Sequence, residues 1–411
     1  MKIIELSFEI FDNFASNHPL RNYCQSSAYA MFMSEQGFNY DYIGYEDNGN
    51  IVAASLILYK RIGGMQKYAY APKGFLIYYY NISLVSDFTK ALTKKLKSKG
   101  IIFLKINPEI IIAELKYKNS FNSEYNKNVK IIDELKSIDY KRRREIKPLE
   151  LIEPRISAYV NLKKYNQNKL NNETKEKIIF SQKKGLEYDI ATSKEVKIFY
   201  DFIKDHTKKN INYYRNLLNI FNKFNMAELL LVKVNYKNFL IQAKEAYEIE
   251  LENNNNYNKI IQENTTERNL NIKMESDKLL LQLKNNIVEA TEGLKKGVNE
   301  YIAGAIIVKY QNRITIIESG YNPDFSNLYP DYYLYNKLFE IYAKDYDYID
   351  LNGLSSDFST GSEYYLSNQF KLEFNPNIYE YIGEFDYIIN DFSFKNLQRN
   401  DAIAREMQSF K

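Results

Sequence analysis

The chain has 411 residues, of which 45% are hydrophobic and 26% are charged, and its formal net charge is +4. This composition allows packed cores in roughly two to three domains and is typical of a folded protein. The small net charge excludes a protein that binds nucleic acid over its whole surface, so a polyanion would have to meet a local basic patch.

Several site chemistries are excluded by the scarcity of cysteine and histidine. Cys24 is the single cysteine, which rules out an intrachain disulfide and a cysteine-based zinc cluster. His18 and His206 are the two histidines, and their neighbouring residues favour surface or capping positions, so we predict no metal site. No segment approaches the ~20 apolar residues of a membrane span. The N-terminus lacks the features of a secretory signal, so we expect a cytoplasmic protein.

The first third of the chain predicts a mixed α/β layout, because apolar stretches with strand and helix periods alternate. Asn48-Gly49 between two strand-like runs is a strong hairpin signal. The predicted elements are a helix at 26–36, strands at 40–45, 51–59, 68–71 and 76–80, a helix at 83–99 and a strand at 101–106.

The later part of the chain repeats this plan by order of elements rather than by residue identity. The predicted elements are helices at 175–184, 193–208 and 213–224, strands at 186–191, 227–234, 303–310 and 314–319, a helix at 329–344 and a strand at 348–351. We therefore predict two similar α/β domains side by side, with a cleft between them as the default place for a substrate.

Residues 240–297 interrupt the second copy between two strand-like runs and predict an antiparallel helical arm of about 35 Å. The stretch contains no proline, and the polar segment 263–269 would form its tip. Such an arm usually packs against itself or against a second chain. The other interpretation is that it reaches a large partner such as RNA, which its intermixed acidic and basic residues favour only weakly.

The best local candidate for a polyanion contact is the basic run at 141–147, whose sequence is KRRREIK. A run of this kind is more often a solvated surface.

Near the C-terminus, Phe370-Lys371 is followed by a Glu-Tyr-Ile-Gly-Glu-Phe stretch at 380–385. These motifs resemble those of the FemABX family of aminoacyltransferases, which build peptidoglycan interpeptide bridges. Three further blocks agree in order, and the inserted arm is similar to that of the staphylococcal-type members. These blocks lie at 19–29, where Gln25 and Tyr29 match, at 68–74 and at 211–214.

The resemblance implies a fold of the α+β type, with two GNAT-like acyltransferase domains and an antiparallel coiled-coil arm in the second. It divides the chain into a first domain at 1–158, a second domain at 159–239 and 298–395, the arm at 240–297, and a C-terminal helix at 396–411 that packs back on the first domain.

The resemblance also implies the reaction and its partners. The donor would be an aminoacyl-tRNA, and the acceptor would be the stem-peptide amine of a peptidoglycan precursor, either a UDP-MurNAc-peptide or a lipid-linked muropeptide. No cofactor is implied. A homo-oligomer and a peripheral contact at the inner face of the membrane are compatible with this interpretation.

The site residues are carried over from the matching motifs. Lys371 would stabilise the oxyanion of the tetrahedral intermediate, with Phe370 packed beside it, because an ammonium is a suitable point charge for this role. The expected substrate-binding residues are Lys209 at the diphosphate of the acceptor, Tyr213, Lys73, Gly74, Asn107 and Asn352. From the residues alone, an exposed strand lysine is the favoured interpretation of Lys371, whereas Lys209 could equally be a helix-end lysine and Tyr213 a packing aromatic.

The chain departs from the family pattern at three places. Phe75 and Tyr78 stand where the family usually has proline and aspartate, and Asn107 stands where some members have aspartate. Met31 or Met33 falls near a family lysine that meets the diphosphate.

Two other functions stay open. A plain acyl-CoA acetyltransferase should carry a glycine-rich phosphate loop before a helix, and the Gly63-Gly64 pair and Gly361 lack that context. A non-catalytic module would use the arm for self-association or tRNA binding.

Overall fold

A computed structural model describes residues 1–62, 64–117, 121–142, 154–297, 300–399 and 402–408. The elements of the first third are β1 Lys2–Glu5, α1 Phe8–Asn17, α2 Ser27–Glu35, β2 Asn39–Asp47, β3 Asn50–Arg61, β4 Lys67–Ala71, α3 Ile82–Ser98, β5 Ile101–Ile106, β6 Ile111–Tyr117, β7 Phe121–Tyr125, α4 Lys130–Ser137 and β8 Tyr140–Arg142.

The remaining elements are β9 Ile156–Asn161, α5 Asn172–Gln182, β10 Leu186–Ala191, α6 Val196–Ile203, α7 Ile211–Asn222, β11 Ala227–Val234, α8 Tyr236–Glu263, α9 Glu267–Lys295, β12 Tyr301–Tyr310, β13 Arg313–Tyr321, α10 Pro330–Tyr342, β14 Tyr348–Leu354, α11 Tyr365–Leu372, β15 Asn377–Tyr381, β16 Phe385–Ile388, α12 Asp391–Arg399 and α13 Ala402–Gln408. Short 3-10 turns lie at Tyr23–Gln25, Lys127–Val129, Gln167–Lys169 and Pro323–Leu328.

The strands form two mixed sheets. The first sheet has the order β1-β2-β3-β4-β5-β16-β8, and the second has the order β10-β11-β12-β13-β14-β9-β15-β6-β7. Each sheet contains one parallel pair, β4 with β5 and β13 with β14, and in each case a helix connects the two strands. A parallel pair needs such a crossover connection, so α3 and α10 occupy equivalent places in the two halves.

The strand pairing crosses the predicted division between 1–158 and 159–395 in both directions. The strands β6 and β7 lie in the second sheet, where β6 pairs with β15. In return, β16 lies in the first sheet between β5 and β8. Backbone groups at the edge of a strand need partners whatever their position in the chain, and the exchange supplies them. The two sheets are therefore tied together by backbone hydrogen bonds.

The core forms three main clusters of apolar side chains. One lies on each sheet, against α3 in the first and against α10 in the second. The third is continuous from α1 and α2 to α6 and α7, so this helical layer joins the two halves. The ring of Phe32 on α2 contacts Tyr213 and Phe221 on α7, with ring centroids 5.0 and 6.0 Å apart.

The arm consists of α8 and α9, with 28 and 29 residues. At 1.5 Å per residue these helices span about 42 Å, which is longer than the predicted 35 Å. At its base, Phe239, Ala243 and Ala290 are buried together. Gly293 lies where a Cβ atom would be 2.1 Å from the Tyr236 ring, so the close approach of the helices requires glycine.

The described C-terminal residues form two short helices, α12 and α13, and the predicted helix at 396–411 overlaps both. Both contact the first sheet. Phe394 packs against Phe103 with ring centroids 5.2 Å apart, and the Tyr68 hydroxyl donates to Glu406 at 3.2 Å.

A fully buried ion cluster joins β5 to β16. The Lys105 ammonium lies 3.0 Å from a Glu384 oxygen and 2.8 Å from an Asp386 oxygen, and the Lys105 side chain has no exposed surface. Burying these three charges is tolerated because each carboxylate has the ammonium as a partner. The cluster therefore stabilises the β5–β16 pairing only while it is complete.

We expect Lys105→Met to lower the free energy of unfolding by about 3–5 kcal/mol, because two buried carboxylates would lose their cation. Thermal unfolding at pH 8 measures the effect.

Lys395→Met is the matched control, because its ion pair with Asp391 is exposed. Unchanged stability of Lys105→Met at pH 8 would contradict the assignment of a stabilising buried cluster.

Candidate functional site

A large cavity at the predicted site opens where β13 and β14 separate. These parallel strands pair over only three positions, Arg313↔Tyr348, Ile314↔Ile349 and Thr315↔Asp350. Beyond this point they diverge and leave a cavity of about 600 Å³. Ligands of α/β sheets commonly bind at the carboxyl ends of parallel strands, and this cavity is in that place.

The cavity wall is mostly apolar and aromatic, with a few charged groups. Phe370, Lys371 and Asn352, three of the predicted site residues, all line it. The other residues used below are Lys177, His206, Glu318, Ser319, Asp331, Tyr332 and Tyr335.

Phe370 and Lys371 lie on α11, so the interpretation of Lys371 as an exposed strand lysine is wrong. The Phe370 ring packs against Tyr335 and Tyr332, with centroids 4.8 and 5.2 Å apart. The Lys371 ammonium donates a hydrogen bond to the Gly353 carbonyl oxygen at 2.8 Å. Burial lowers the pKa of Lys371 to about 8, although Asp350 and Glu318 act in the opposite direction. At neutral pH most Lys371 side chains are therefore cationic.

Asn352 shapes the bulge of β14 that holds this carbonyl, where the pairing with β9 shifts register between Asp350 and Gly353. Its backbone is in the left-handed region, with φ of 68°, and its side chain accepts a hydrogen bond from the Gly353 N–H at 2.8 Å. Its own N–H donates to Asp350 at 2.9 Å. A Cβ atom at Gly353 would lie 2.0 Å from Pro154, so only glycine fits there. The contacts of Asn352 thus position the bulge that binds Lys371.

Two carboxylates in the cavity were not found by sequence reasoning. Burial raises the pKa of Glu318, and the opposing contributions come from the hydrogen bond with Tyr214 and the charges of Lys371 and His206. Burial raises the pKa of Asp331 to about 6. Neither residue lies in a motif of the resemblance, and an isolated acid in a strand or at a helix start gives no sequence signal.

Lys73, Gly74 and Asn107 lie in the first half of the chain, away from this cavity. Lys73 and Asn107 line a separate small cavity of about 20 Å³. The Asn107 side-chain oxygen accepts hydrogen bonds from the Lys73 N–H at 2.8 Å and the Tyr70 hydroxyl at 3.1 Å. At Gly74, a Cβ atom would lie 2.8 Å from Ser55 Oγ, so its backbone packs closely against β3. The predicted site residues are therefore not all in one cavity.

A buried ionic chain links the two places. The Lys73 ammonium lies 3.6 Å from Glu109, and Glu109 lies 3.0 Å from the Arg313 guanidinium. Burial alone would raise the pKa of Glu109, but Arg313 and Lys73 hold it below its ordinary value. Arg313 also acts on Asp350, which in turn acts on Lys371. This series of ionic contacts therefore extends from Lys73 to the Lys371 cavity.

Lys209 and Tyr213 lie between the two halves. Tyr213 packs against Phe32 on α2, and the Lys209 ammonium lies 5.2 Å from the centroid of the Tyr213 ring. Burial lowers the pKa of Lys209, and the neighbouring charges of Lys60 and Lys208 lower it further. Lys60 lines a pocket of about 440 Å³. The other lining residues are Gly37, Asn39, Tyr59, Arg61 and Lys67, and we call this the basic pocket.

The two histidines and the basic run lie in different surroundings in the structure. His18 ends α1, and its ring nitrogen accepts a hydrogen bond from the Leu20 N–H at 3.1 Å, as expected for a capping residue. His206 instead lines the Lys371 cavity. Of the basic run at 141–147, residues 143–147 lie outside the described part of the chain, and Arg142 donates to the Ile382 carbonyl at 3.1 Å.

Phe75 and Tyr78, which depart from the family pattern, have opposite surroundings. The Phe75 ring is buried against Phe88, with centroids 4.8 Å apart, so it fills core space. Tyr78 is 63% exposed. No helix in the described ranges is long and apolar enough to cross a membrane.

The chain therefore combines two mixed sheets, a helical arm inserted in the second half, and a lysine in the wall of a cavity. The FemAB family model matches residues 6–400, and the chain belongs to this family. The resemblance recognised from the motifs, the predicted fold class and the prediction of a transferase are thereby confirmed.

Relatives and a solved structure agree with this assignment. The lipid II:glycine glycyltransferase of Staphylococcus epidermidis is 22% identical over 407 residues, which cover 95% of this chain and 93% of that protein. The Staphylococcus aureus protein of the same name is 20% identical over 414 residues, with the same coverage. The crystal structure of FemX matches with a TM-score of 0.80 at 18% identity, covering 97% of this chain and 100% of FemX.

We expect the Lys371 amine to titrate with a pKa of about 8, because burial disfavours its charged form. Competitive labelling with an amine reagent, followed by peptide mass spectrometry from pH 6 to 11, measures this value. Asp350→Asn should lower it further, since Asp350 favours the ammonium. An ordinary lysine titration at Lys371 in both proteins would contradict the described cavity.

Proposed function

We propose that the protein transfers an amino acid from an aminoacyl-tRNA to an amine of the stem peptide of a peptidoglycan precursor. The observation that carries this proposal is the Lys371 ammonium in the wall of a cavity large enough for a reacting ester. The names of the relatives, lipid II:glycine glycyltransferases, support a peptidoglycan precursor as acceptor and an amino acid as the transferred group.

The residues suit the chemistry of such a transfer. The acceptor amine attacks the ester carbonyl, a C–N bond forms, and the C–O bond to the tRNA ribose breaks. The proton that the amine loses goes to the leaving ribose oxygen. Negative charge develops on the carbonyl oxygen in between, and a fixed ammonium stabilises it. Because Lys371 already donates to the Gly353 carbonyl, its ammonium is held in position before a substrate binds.

The basic pocket supports binding of the acceptor diphosphate. Met33 is buried, so position 33 cannot present a cation to a ligand in this fold. Lys60 on β3 instead brings a positive charge close to Lys209, since the charge of Lys60 lowers the pKa of Lys209. Paired cations are the usual partners of a diphosphate. We therefore assign Lys60 and Lys209 to this contact, with Tyr213 as the aromatic surface beneath Lys209.

The contacts of Lys73, Gly74 and Asn107 favour positioning of the junction between the two sheets over direct binding of the acceptor. The side-chain oxygen of Asn107 is already occupied by two hydrogen bonds from the protein. Self-association through the arm and contact with a membrane surface stay predictions.

The test of the proposal is a transfer assay read by mass spectrometry. The purified protein is mixed with glycyl-, alanyl- or seryl-tRNA and a nucleotide-linked or lipid-linked muropeptide. We expect the muropeptide to gain the mass of one amino acid, and RNase to abolish the gain. No gain with any donor and either acceptor would overturn the proposal.

Lys371→Met should reduce kcat by about 100- to 1,000-fold, which is typical for loss of an oxyanion donor. Lys371→Arg should keep part of the activity. The pH above which kcat falls should be higher in Lys371→Arg than in the unchanged protein, where it lies near pH 8, because arginine stays charged. The pH dependence of kcat measures this shift, which a purely structural role of Lys371 would not produce. A correctly folded Lys371→Met variant with near-normal kcat would contradict the assigned role.

Lys60→Met and Lys209→Met should each raise KM for a UDP-linked muropeptide by about 10- to 100-fold, since each removes a charge-assisted contact to phosphate. The dependence of KM on salt should weaken in both variants. Lys395→Met removes an exposed lysine on α12 and serves as control. Unchanged KM and salt dependence in both pocket variants would place the diphosphate elsewhere.

A further inference from the structure

Glu318 is a carboxylate in the Lys371 cavity for which the reaction described above has no use. It lies on β13, beyond the last residue that pairs with β14, and its side chain lines the cavity. The pairing of β12 with β13 shifts register between Ile306 and Ile307, so that Ile306 is opposite Glu318 and Ile307 is opposite Ile316. This bulge inserts an extra residue and changes the direction of the side chains that follow it.

The protein leaves this carboxylate only partly satisfied. One Glu318 oxygen accepts a hydrogen bond from the Tyr214 hydroxyl at 3.3 Å, and Thr207 in turn contacts the same hydroxyl at 2.8 Å. In the part of the chain that the structure describes, Glu318 forms no ion pair. Glu318 is partly buried, and a partly buried carboxylate with one weak hydrogen bond carries a desolvation cost that a bound cation would offset.

The nearby charges belong to groups that are occupied elsewhere or act at a distance. Lys371 and His206 both favour the ionised form of Glu318. The Lys371 ammonium, however, donates to the Gly353 carbonyl, which holds it at the β14 side of the cavity. The space between the two diverging strands therefore has a cation on one side and a carboxylate on the other.

An aminoacyl ester has the matching arrangement of charges. Its carbonyl oxygen becomes negative during transfer, and its α-nitrogen, two bonds from the carbonyl carbon, is mostly an ammonium at pH 7 because an α-amino group has a pKa of about 8. If the carbonyl oxygen faces Lys371, the α-ammonium points across the cavity. This arrangement of charges fits a cavity whose wall carries both Lys371 and Glu318.

We propose that Glu318 binds the α-ammonium group of the amino acid being transferred, and so selects a free aminoacyl donor over donors whose α-amino group is blocked or replaced. This inference rests on the proposed function. It assigns to Glu318 a specificity role for the donor.

Asp331 is the other carboxylate of the cavity, and its position favours a different role. Its oxygen accepts a hydrogen bond from the Tyr332 N–H at 3.0 Å, at the start of α10. The charges that act on it are those of Lys177 and Glu373, not that of Lys371. Asp331 therefore belongs to the α10 side of the cavity, where Lys177 is the cation that acts on it.

The experiment compares two donors that differ only at the α-carbon, where one carries an amino group and the other a hydroxyl. The donor is whichever of glycyl-, alanyl- or seryl-tRNA gives transfer, and the comparison is the same tRNA charged with the corresponding α-hydroxy acid, which is glycolyl-tRNA for glycine. The full-length protein should prefer the amino acid by about 10- to 100-fold in kcat/KM, because a hydrogen bond to a charged group is replaced by one to a neutral group.

Glu318→Gln should reduce this preference to within about threefold, and should do so by lowering kcat/KM of the aminoacyl donor alone. The substitution keeps an oxygen that can accept from Tyr214, so folding is expected to be intact, and thermal unfolding verifies this. Asp331→Asn removes the same charge elsewhere in the cavity and should keep the preference of the unchanged protein.

The outcomes distinguish a failure of the proposed function from a failure of the role assigned to Glu318. If the unchanged protein transfers from no donor, the proposed function fails. If it transfers from both donors equally well, only the role of Glu318 is overturned. The role of Glu318 would also be overturned if Glu318→Gln slowed transfer from both donors by the same factor. A loss of the donor preference in Asp331→Asn, with the preference kept in Glu318→Gln, would overturn it as well.

Discussion

The separation of β13 and β14 after three paired residues is the constraint on which the rest of the site depends. Where parallel strands diverge, backbone groups lose their ladder partners and must bond elsewhere. The bulge of β14 after Asp350 meets this need through Asn352 and through the Lys371 ammonium, which binds the Gly353 carbonyl. The same contact that completes the fold therefore fixes the catalytic lysine of the proposed reaction.

The molecule also contains several charged side chains in its interior. Arg313 and Glu109 pair at 3.0 Å between the two sheets, while Lys105 pairs with Asp386 on β16 and with Glu384 just before this strand. In both clusters the cost of desolvation is offset by close partners. Glu318 differs because its hydrogen bond is weak and it lacks such a partner within the described residues. A carboxylate left in this state is better explained by a cationic ligand than by stability.

Local elements could be predicted from the sequence, since they depend on periodicity and on turn residues such as Asn48-Gly49, which do form the β2–β3 hairpin. The arm followed from the same periodicity. The exchange of β6 and β16 between the sheets could not be predicted, because strand partners are chosen by non-local backbone pairing. Lys371 was found through a resemblance. Glu318 was missed because its environment comes from a bulge and from the distant Tyr214.

The segment between α6 and α7 connects the two proposed substrate contacts. His206 lines the Lys371 cavity, whereas Lys209, three residues later, interacts with Lys60 of the basic pocket. An acceptor with its diphosphate at Lys209 and its reacting amine at Lys371 would therefore lie along this segment. The helical layer that joins the two halves, in which Phe32 meets Tyr213, would then hold both ends of the acceptor in one rigid frame. Fixing the reacting groups in this way supplies much of the rate of an aminoacyl transfer, because little chemistry is left for other side chains to perform.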